Sequence, residues 1–362
     1  MGSLTRIMLP LLLFCLGCCC CGQDSAPPLV RVNLDRNPRF RWEHALSLHD
    51  PAYLRECMDT IIRVMAPNWV HDIARLMANE LERFIHKDYA EEIRGISATL
   101  RVNVGDAFLL NLCYEASMYC TSIVAEDGNG TIYHGRNLDY DFADYLRNLT
   151  IDVKFEKNNR VKYIGTTFIG YVGLWTGLSP HKFSISGNQR GQGNWWKNAI
   201  TALLLHGHPV SWLIRDVLSE AEDFQSAVMI LTKTTIIADV YYIVGGILPK
   251  EGVVITRNRN GPADIWPLDP LNGEWFRVET NYDHWQTPPP FDDRRTPAIK
   301  ALNATGQENI NNVTLYKVLS VKPILNELTI YTTIMCATQP DLYSTRIRKN
   351  TVSAEESSKP RF

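Results

Sequence analysis

The chain has 362 residues, 45% of them hydrophobic and 21% charged, with a formal net charge of −2. That composition can bury a sizeable core, which excludes disorder as the default, and the near-neutral balance excludes a basic field for nucleic acid. Length alone leaves one large domain or two. No P-loop, zinc-finger spacing or dinucleotide fingerprint occurs, and Gly187 to Gly193 is too irregular for a phosphate loop, so neither a metal nor a cofactor is expected.

Residues 1–26 begin with a short basic region containing Arg6, continue as an apolar run from Ile7 to Leu16, and end in small residues up to Ala26. This is the pattern of a secretory signal peptide, with an apolar run too short to span a membrane. An uncleaved anchor is the alternative, disfavoured because no stop-transfer pattern follows. Pro27-Pro28 would open the mature chain. Five of the nine cysteines lie in this leader, leaving Cys57, Cys113, Cys120 and Cys336. If Cys120 must stay free, at most one disulfide can form among Cys57, Cys113 and Cys336. Four Asn-x-Ser/Thr sequons, at Asn129, Asn148, Asn303 and Asn312, agree with passage through the secretory pathway and with extracellular or lysosomal residence.

From Asp50 to Cys120 the periodicity is helical. Val70, Ile73, Ala74, Met77, Leu81, Phe84 and Ile85 recur at steps of three and four with charged residues between them, which predicts one amphipathic helix. A second helix is predicted from Asp106, as its cap, to Tyr119. These stripes either cover a sheet, the favoured reading, or also meet lipid.

The pattern then changes. Thr121 to Ala125 and Ile132 to Gly135 are rich in β-branched and aromatic residues, and Glu126-Asp127-Gly128-Asn129-Gly130 between them supplies turn residues, which predicts a hairpin. Cys120 then opens a strand, and pairing returns Arg136 and Asp139 toward it. A guanidinium beside a thiol lowers its pKa and raises the fraction of nucleophilic thiolate. From spacing alone a plainer reading stands beside this one: a small buried Cys120, a surface Arg136 and a turn-forming Asp139.

Further strands are predicted at Ile151 to Phe155, Val161 to Tyr171 and Lys182 to Ile185. Helices follow at Asn198 to Leu205, Val210 to Ala221 and Asp223 to Leu231, then strands at Val240 to Val244, Gly252 to Arg257 and Phe276 to Glu279. That order suits two stacked sheets with helices outside them, although pattern alone reaches only a mixed α+β class. Pro288 to Pro290 and Asp292 to Arg295 read as a loop, and residues 351–362 as a solvated tail.

Two blocks carry a resemblance. Cys120-Thr121-Ser122-Ile123 with His134-Gly135-Arg136-Asn137-Leu138-Asp139-Tyr140, and Trp275 to Trp285 with Asp292-Asp293-Arg294-Arg295, closely resemble the acid ceramidase and N-acylethanolamine acid amidase family, a branch of the choloylglycine-hydrolase-like N-terminal-nucleophile hydrolases. The resemblance spans nearly the whole chain after the leader. It implies a four-layer αββα fold with a mostly helical N-terminal segment. It also implies a precursor that cuts its own Tyr119–Cys120 bond into a helical α-chain (27–119) and a catalytic β-chain (120–350), which stay together as a heterodimer.

The implied chemistry follows from that cut. The freed α-amino group of Cys120, with a reference pKa of about 7.7–8.0, becomes a base on the same residue as the nucleophile, so no histidine is needed. By resemblance Arg136 orients the thiol, Asp139 holds the α-amino group, Asn281 donates to the oxyanion, and Arg294 ties the site together. Asn188 is a further oxyanion donor by likeness to bacterial members, while His134 and His284 sit inside the matched motifs with packing or backbone hydrogen bonding as the favoured reading of each. One departure stands out: the family usually has Ser-Gly-x-Glu-Arg, and this chain reads Ser186-Gly187-Asn188-Gln189-Arg190, placing an amide that cannot titrate where a carboxyl is usual.

The implied substrate is a lipid amide, a long acyl chain on ethanolamine, hydrolysed at acid pH in the lysosome, with peripheral membrane contact a possible accompaniment. Aromatic stretches at Tyr171 to Trp175, Trp195-Trp196 and Trp212 are available to line an apolar channel, although tryptophans are usually core. Two alternatives remain. One is a ceramidase sharing the catalytic residues; the other is a secreted lipid-binding glycoprotein without catalysis, against which the presence of Cys120, Arg136, Asp139 and Asn281 weighs.

Overall fold

The computed structural model describes residues 24–83, 85–115, 118–191 and 207–349. The leader, Phe84, the Trp195-Trp196 pair, the helix expected at Asn198 to Leu205 and the tail lie outside the described residues.

Among the described residues thirteen strands form two sheets. The larger holds β1 (Leu29–Asn33), β4 (Thr150–Lys157), β5 (Arg160–Phe168), β6 (Thr176–Ser179), β7 (Phe183–Gln189), β8 (Val240–Gly245), β9 (Gly252–Asn258) and β10 (Gly261–Pro267), in that spatial order. The smaller runs β11 (Phe276–Glu279), β2 (Met118–Glu126), β3 (Ile132–Tyr140), β12 (Thr329–Met335) and β13 (Ser344–Ile347). Every pair is antiparallel except β1 with β4.

Strands β2 and β3 of the small sheet pack face to face against β7 and β8 of the large one. A strand covered on both faces loses the alternation of buried and exposed residues, and all nine residues of β3 are buried. Its polar residues therefore need partners on both sides. His134 and Arg136 point between the sheets, where they bond to Ser184 and Thr176, and Asn137 points outward to the carbonyls of Leu319 and Ile324.

Helices complete the outer layers. The one-turn α1 (Glu43–Leu46), α2 (Pro51–Met65), α3 (Asn68–Met77), α4 (Lys87–Leu100) and α5 (Val104–Cys113) precede the small sheet in sequence, and the short α6 (Ala143–Leu149) follows β3. Helices α7 (Val210–Glu220) and α8 (Phe224–Lys233) cover the large sheet, while α9 (Arg295–Thr305) and α10 (Asn312–Leu319) cover the small one. The result is a four-layer αββα arrangement in an α+β chain. Among the described residues no helix is long and apolar enough to cross a membrane.

Several sequence expectations change here. The predicted helix through Ile85 ends at Met77 and continues as a 3-10 segment, Ala78–Arg83, with Glu80 out of helical geometry. Val70, Ala74, Met77, Leu81 and Ile85 are nevertheless all buried, so the periodicity reported burial and not an unbroken helix. Helix α5 is capped three residues before the expected position: Asn103 Oδ1 accepts from Gly105 N at 2.7 Å, leaving Asp106 to pair with Arg75. It stops at Cys113 because the chain must extend into β2. The segment 27–119 also contains β1, an edge strand of the large sheet. Strand β10 was hidden by Pro262 and Pro267, residues tolerated because it is the other edge. The cysteines Cys57, Cys113, Cys120 and Cys336 are all free and buried, so the disulfide allowed by their number is not formed.

One buried ion pair joins the N-terminal helices to the large-sheet layer. Glu92 on α4 accepts from Arg215 on α7 through both carboxylate oxygens, at 2.6 and 2.8 Å, and also from Arg41 at 3.0 Å and the Trp42 indole at 2.7 Å. The Arg215 guanidinium lies over the rings of Tyr89 and Phe155, each 4.8 Å away. Removing one partner of such a pair strands a buried charge, so Glu92→Ala should lower stability by roughly 3–5 kcal/mol, read by urea unfolding, with Glu92→Gln losing less.

Candidate active site

Cys120 is the third residue of β2, and the chain runs straight through the Tyr119–Cys120 bond, with Tyr119 opposite Asp139 and Cys120 opposite Leu138 on β3. The strand thus begins two residues before the point expected. Cys120, Ser122 and Arg136 share the face between the sheets, because residues opposite each other in an antiparallel pair point the same way.

Arg136 is fully buried and both terminal nitrogens of its guanidinium are engaged, while Nε has no hydrogen-bond partner among the described residues. Nη2 donates to Cys120 Sγ at 2.8 Å and to the Gly187 carbonyl at 3.0 Å, while Nη1 donates to the Trp175 carbonyl at 3.1 Å and to Thr176 Oγ1 at 2.6 Å. Thr176 Oγ1 in turn meets the Tyr331 hydroxyl at 2.9 Å. Gly187 is needed there: an added Cβ would come within 2.7 Å of the Trp175 ring, whose backbone helps hold Arg136. Burial pushes the Cys120 thiol above its ordinary pKa, outweighing the opposing pull of Arg136 and Arg294. The thiol is therefore protonated in the continuous chain, where proximity to Arg136 alone had suggested a thiolate.

The backbone of Cys120 faces a second cluster. Its N–H donates to Asn281 Oδ1 at 2.8 Å, and its carbonyl accepts from Arg294 Nη1 at 2.5 Å. Arg294 Nη2 also donates to Asn281 Oδ1 at 2.8 Å, Asp292 takes the same guanidinium at 2.7 and 2.9 Å, and Asp139 Oδ2 lies 3.6 Å from Nη1. Two donors on one oxygen settle which way the Asn281 amide points, and its Nδ2 donates to the Gln189 carbonyl at 2.8 Å. In this state the partner of the Cys120 nitrogen is Asn281 and not Asp139, and one Asn281 N–H is held by the Gln189 carbonyl.

Asp139 is fully buried, accepts from Asn326 Nδ2 at 3.0 Å through Oδ2, and leaves Oδ1 without a hydrogen-bond partner among the described residues. Burial raises its pKa despite Arg294. Asn188 is buried too; Nδ2 donates to the carbonyls of Glu279 and Thr280, both at 3.0 Å, and Oδ1 accepts from Ser122 at 2.7 Å. Arg136 on one side and Asn281, Arg294 and Asp139 on the other thus gather at Cys120, and Asn188 joins the same strand through Ser122. His284 lies apart, stacked 4.0 Å from Trp266.

Of the aromatic residues offered for a channel, Tyr171, Trp175 and Trp212 are all buried in the core, with Trp175 against the site. The sequons fall at exposed positions for Asn129, Asn148 and Asn303, and at a half-buried one for Asn312.

Sequence reasoning missed two buried carboxyls. Glu115 caps the start of α7, accepting from Val210 N at 2.6 Å, Ser211 N at 3.2 Å, the Tyr171 hydroxyl at 2.9 Å and Ser211 Oγ. Its signal was slight, one acid at the end of an apolar helix. Glu279 faces the site layer from β11 opposite Ser122, with Oε1 accepting from Thr280 N at 2.9 Å and Oε2 unpartnered among the described residues. It sits inside a strand motif, where nothing local marks it as buried.

Comparison with known proteins agrees with this geometry. A family profile described as the beta subunit of N-acylethanolamine-hydrolyzing acid amidase matches residues 25–86. A second, described as linear amide C–N hydrolases of the choloylglycine hydrolase family, matches residues 120–292, beginning on Cys120 itself. The N-acylethanolamine-hydrolyzing acid amidase of Cavia porcellus is 59% identical over 323 residues, covering 89% of this chain and 91% of the relative. The chain belongs to this family. The acid ceramidase of Bos taurus is 38% identical over 332 residues, covering 86% of this chain and 84% of the relative. Among solved structures, a Caenorhabditis elegans N-acylethanolamine-hydrolyzing acid amidase ortholog superposes with a TM-score of 0.59 at 40% identity, covering 64% of this chain and all of that one. The four-layer arrangement is accordingly the N-terminal-nucleophile hydrolase fold of the family, and the chain is a hydrolase of linear amide bonds.

The buried carboxyls give the family fold here a pH signature. Burial pushes Glu115 from an ordinary 4.5 up to about 7, and Glu279 up to about 8. Folding therefore takes up protons, and the contribution of these groups is complete below about pH 4.5 and lost as pH rises through 7 to 8. Buried His134, lowered to about 3, acts in the opposite sense between 6.5 and 3. Glu279→Gln should accordingly shift the balance: the melting temperature at pH 4.5 minus that at pH 8, measured by scanning fluorimetry, should be smaller in the variant than in the parent.

Proposed function

We propose that this chain is a self-activating cysteine amidase that cuts its own Tyr119–Cys120 bond and then hydrolyses N-acylethanolamines to fatty acid and ethanolamine at acid pH. The observation that carries the reading is the double hold on Cys120: Arg136 on its sulfur at 2.8 Å and Asn281 on its nitrogen at 2.8 Å, in a layer closed to solvent.

In the first reaction Cys120 Sγ attacks the Tyr119 carbonyl. The C–N bond breaks, the thiol proton passes to the departing nitrogen, and a thioester forms; water then cleaves it to the Tyr119 carboxylate and the free thiol. Cys120 now starts the larger chain. Its α-amine, held where the amide N–H was, takes the thiol proton, and the buried Arg136 becomes the counterion of the thiolate. Attack on the substrate amide expels ethanolamine with that proton, and water releases the fatty acid from the acyl-enzyme. Asn281 supplies the amide group nearest the nucleophile, Asn188 having both N–H groups on the Glu279 and Thr280 carbonyls, and Arg294 and Asp139 fix the backbone and amine. Loss of one oxyanion donor typically costs on the order of 10²–10³ in rate, the expected effect of Asn281→Ala on kcat.

Segments 27–119 and 120–350 would then form a two-chain enzyme held by the shared core and the Glu92–Arg215 pair, with 1–26 as leader and 351–362 as tail. An acidic compartment, the lysosome reached by the secretory route, fits the names of the acid amidase and acid ceramidase relatives, the leader pattern and the sequons. Hydrolysis of ceramide is the second reading, supported by the more distant identity to acid ceramidases; parallel assays with palmitoylethanolamide and a ceramide separate the two.

After incubation at about pH 4.5, N-terminal sequencing should find a fragment starting Cys120-Thr121-Ser122, and Cys120→Ala should stay whole. A wild-type chain that remains uncut and still hydrolyses substrate would overturn the mechanism. Gln189, whose carbonyl holds Asn281, is the family departure closest to the cut. Gln189→Glu should shift the pH dependence of maturation, and identical profiles from pH 4 to 7 would remove any role for the missing carboxyl.

A further inference from the structure

His134 takes no part in the chemistry proposed above, yet it is completely buried and both ring nitrogens are bonded: Nδ1 to Ser184 Oγ at 3.0 Å and Nε2 to Ser186 Oγ at 2.8 Å. Ser186 Oγ lies 2.9 Å from Ser122 Oγ, and Ser122 Oγ lies 2.7 Å from Asn188 Oδ1. These side chains come from β3, β7 and β2, so the chain of bonds crosses from one sheet to the other and back.

The direction of every proton in it follows from the far end. Asn188 spends both N–H groups on the carbonyls of Glu279 and Thr280, so its oxygen can only accept, and Ser122 must donate to it. Ser122 then accepts from Ser186, and Ser186 accepts from His134 Nε2–H. A neutral ring carrying that proton leaves Nδ1 as an acceptor for the Ser184 hydroxyl at 3.0 Å, closer than the Gly245 carbonyl that competes for the same proton at 3.2 Å. Burial with Arg136 nearby holds the imidazole pKa down at about 3, so the ring stays neutral at lysosomal acidity.

We infer that His134 is a positioning residue: through Ser186 and Ser122 it orients the Asn188 amide, which clamps the Glu279 and Thr280 carbonyls and so sets the place of Asn281, the partner of the Cys120 nitrogen. A relay of one-way hydrogen bonds is suited to this because each hydroxyl has one donor proton, already assigned, so the amide at its end cannot flip without breaking a buried bond. The inference rests on the catalytic reading of Cys120 and Asn281.

The test uses the full chain matured at about pH 4.5 and a fluorogenic long-chain N-acyl amide, comparing kcat and KM for His134→Phe, His134→Gln, Ser122→Ala and Cys120→Ala, with melting temperatures in parallel. His134→Phe and Ser122→Ala should lower kcat roughly 10- to 100-fold with KM within about twofold. His134→Gln, which restores an N–H toward Ser186, should keep kcat within about fivefold of the parent. Unchanged kcat in Ser122→Ala, or equal losses in His134→Gln and His134→Phe, would overturn the relay. If His134→Phe does not fold, Ser122→Ala decides alone. Activity surviving in Cys120→Ala would instead sink the catalytic reading, whatever the relay variants do.

Discussion

A guanidinium sealed between two sheets is the constraint from which the site follows. Arg136 makes no ion pair among the described residues, and desolvating an uncompensated charge costs several kcal/mol. The fold offsets this with the dipoles of the Trp175 carbonyl just before β6, the Thr176 hydroxyl on β6 and the Gly187 carbonyl on β7, and the remaining terminal position belongs to the Cys120 sulfur. A cation held in place without a carboxylate is a standing demand for negative charge, and the nearest group able to provide it is the thiol. Because burial opposes the thiolate at the same time, the group is held protonated until its surroundings change.

The second constraint lies on the other face of the same backbone. Arg294 reaches the Cys120 carbonyl, Asn281 and Asp292 together, so one side chain ties the strand carrying Cys120 to the loop after β11. Cys120 is thus fixed by its sulfur, through an Arg136 of the small sheet that is anchored on the large one, and by its backbone from the loop. Such two-sided fixation leaves little freedom for reorganisation at the moment of reaction, which is what a preorganised site requires. It also explains why the site can be assembled before the Tyr119–Cys120 bond is cut: none of these contacts needs a free amine.

Much of this was legible in the residues. The hairpin β2 and β3 was marked by β-branched runs around a Gly-Asn-Gly turn, and its pairing does carry Arg136 back beside Cys120. Strands β4, β5, β8, β9 and β11 and helices α7 and α8 were marked by period and composition. What escaped was decided at longer range. The prolines of β10 read as breakers until the strand proved to be an edge. The apolar stripe through Leu81 and Ile85 is buried as expected, on a backbone that leaves the helix after Met77. Glu279, Thr176 and Gly187 gave no local signal and Glu115 only a slight one, since their roles come from partners tens of residues away.

The sequence by itself determined which chemistry the chain can carry, because a thiol, a guanidinium, a carboxyl and an amide in two short motifs are covalent facts that also carry the family resemblance. Tertiary structure alone decided how those groups are used. It sets the direction of the Asn281 amide, the burial that holds Cys120 protonated, the neutral state of His134 and the proton order from it to Asn188. Each of these depends on desolvation and on hydrogen-bond partners supplied by another layer of the fold, quantities that spacing along a chain does not encode.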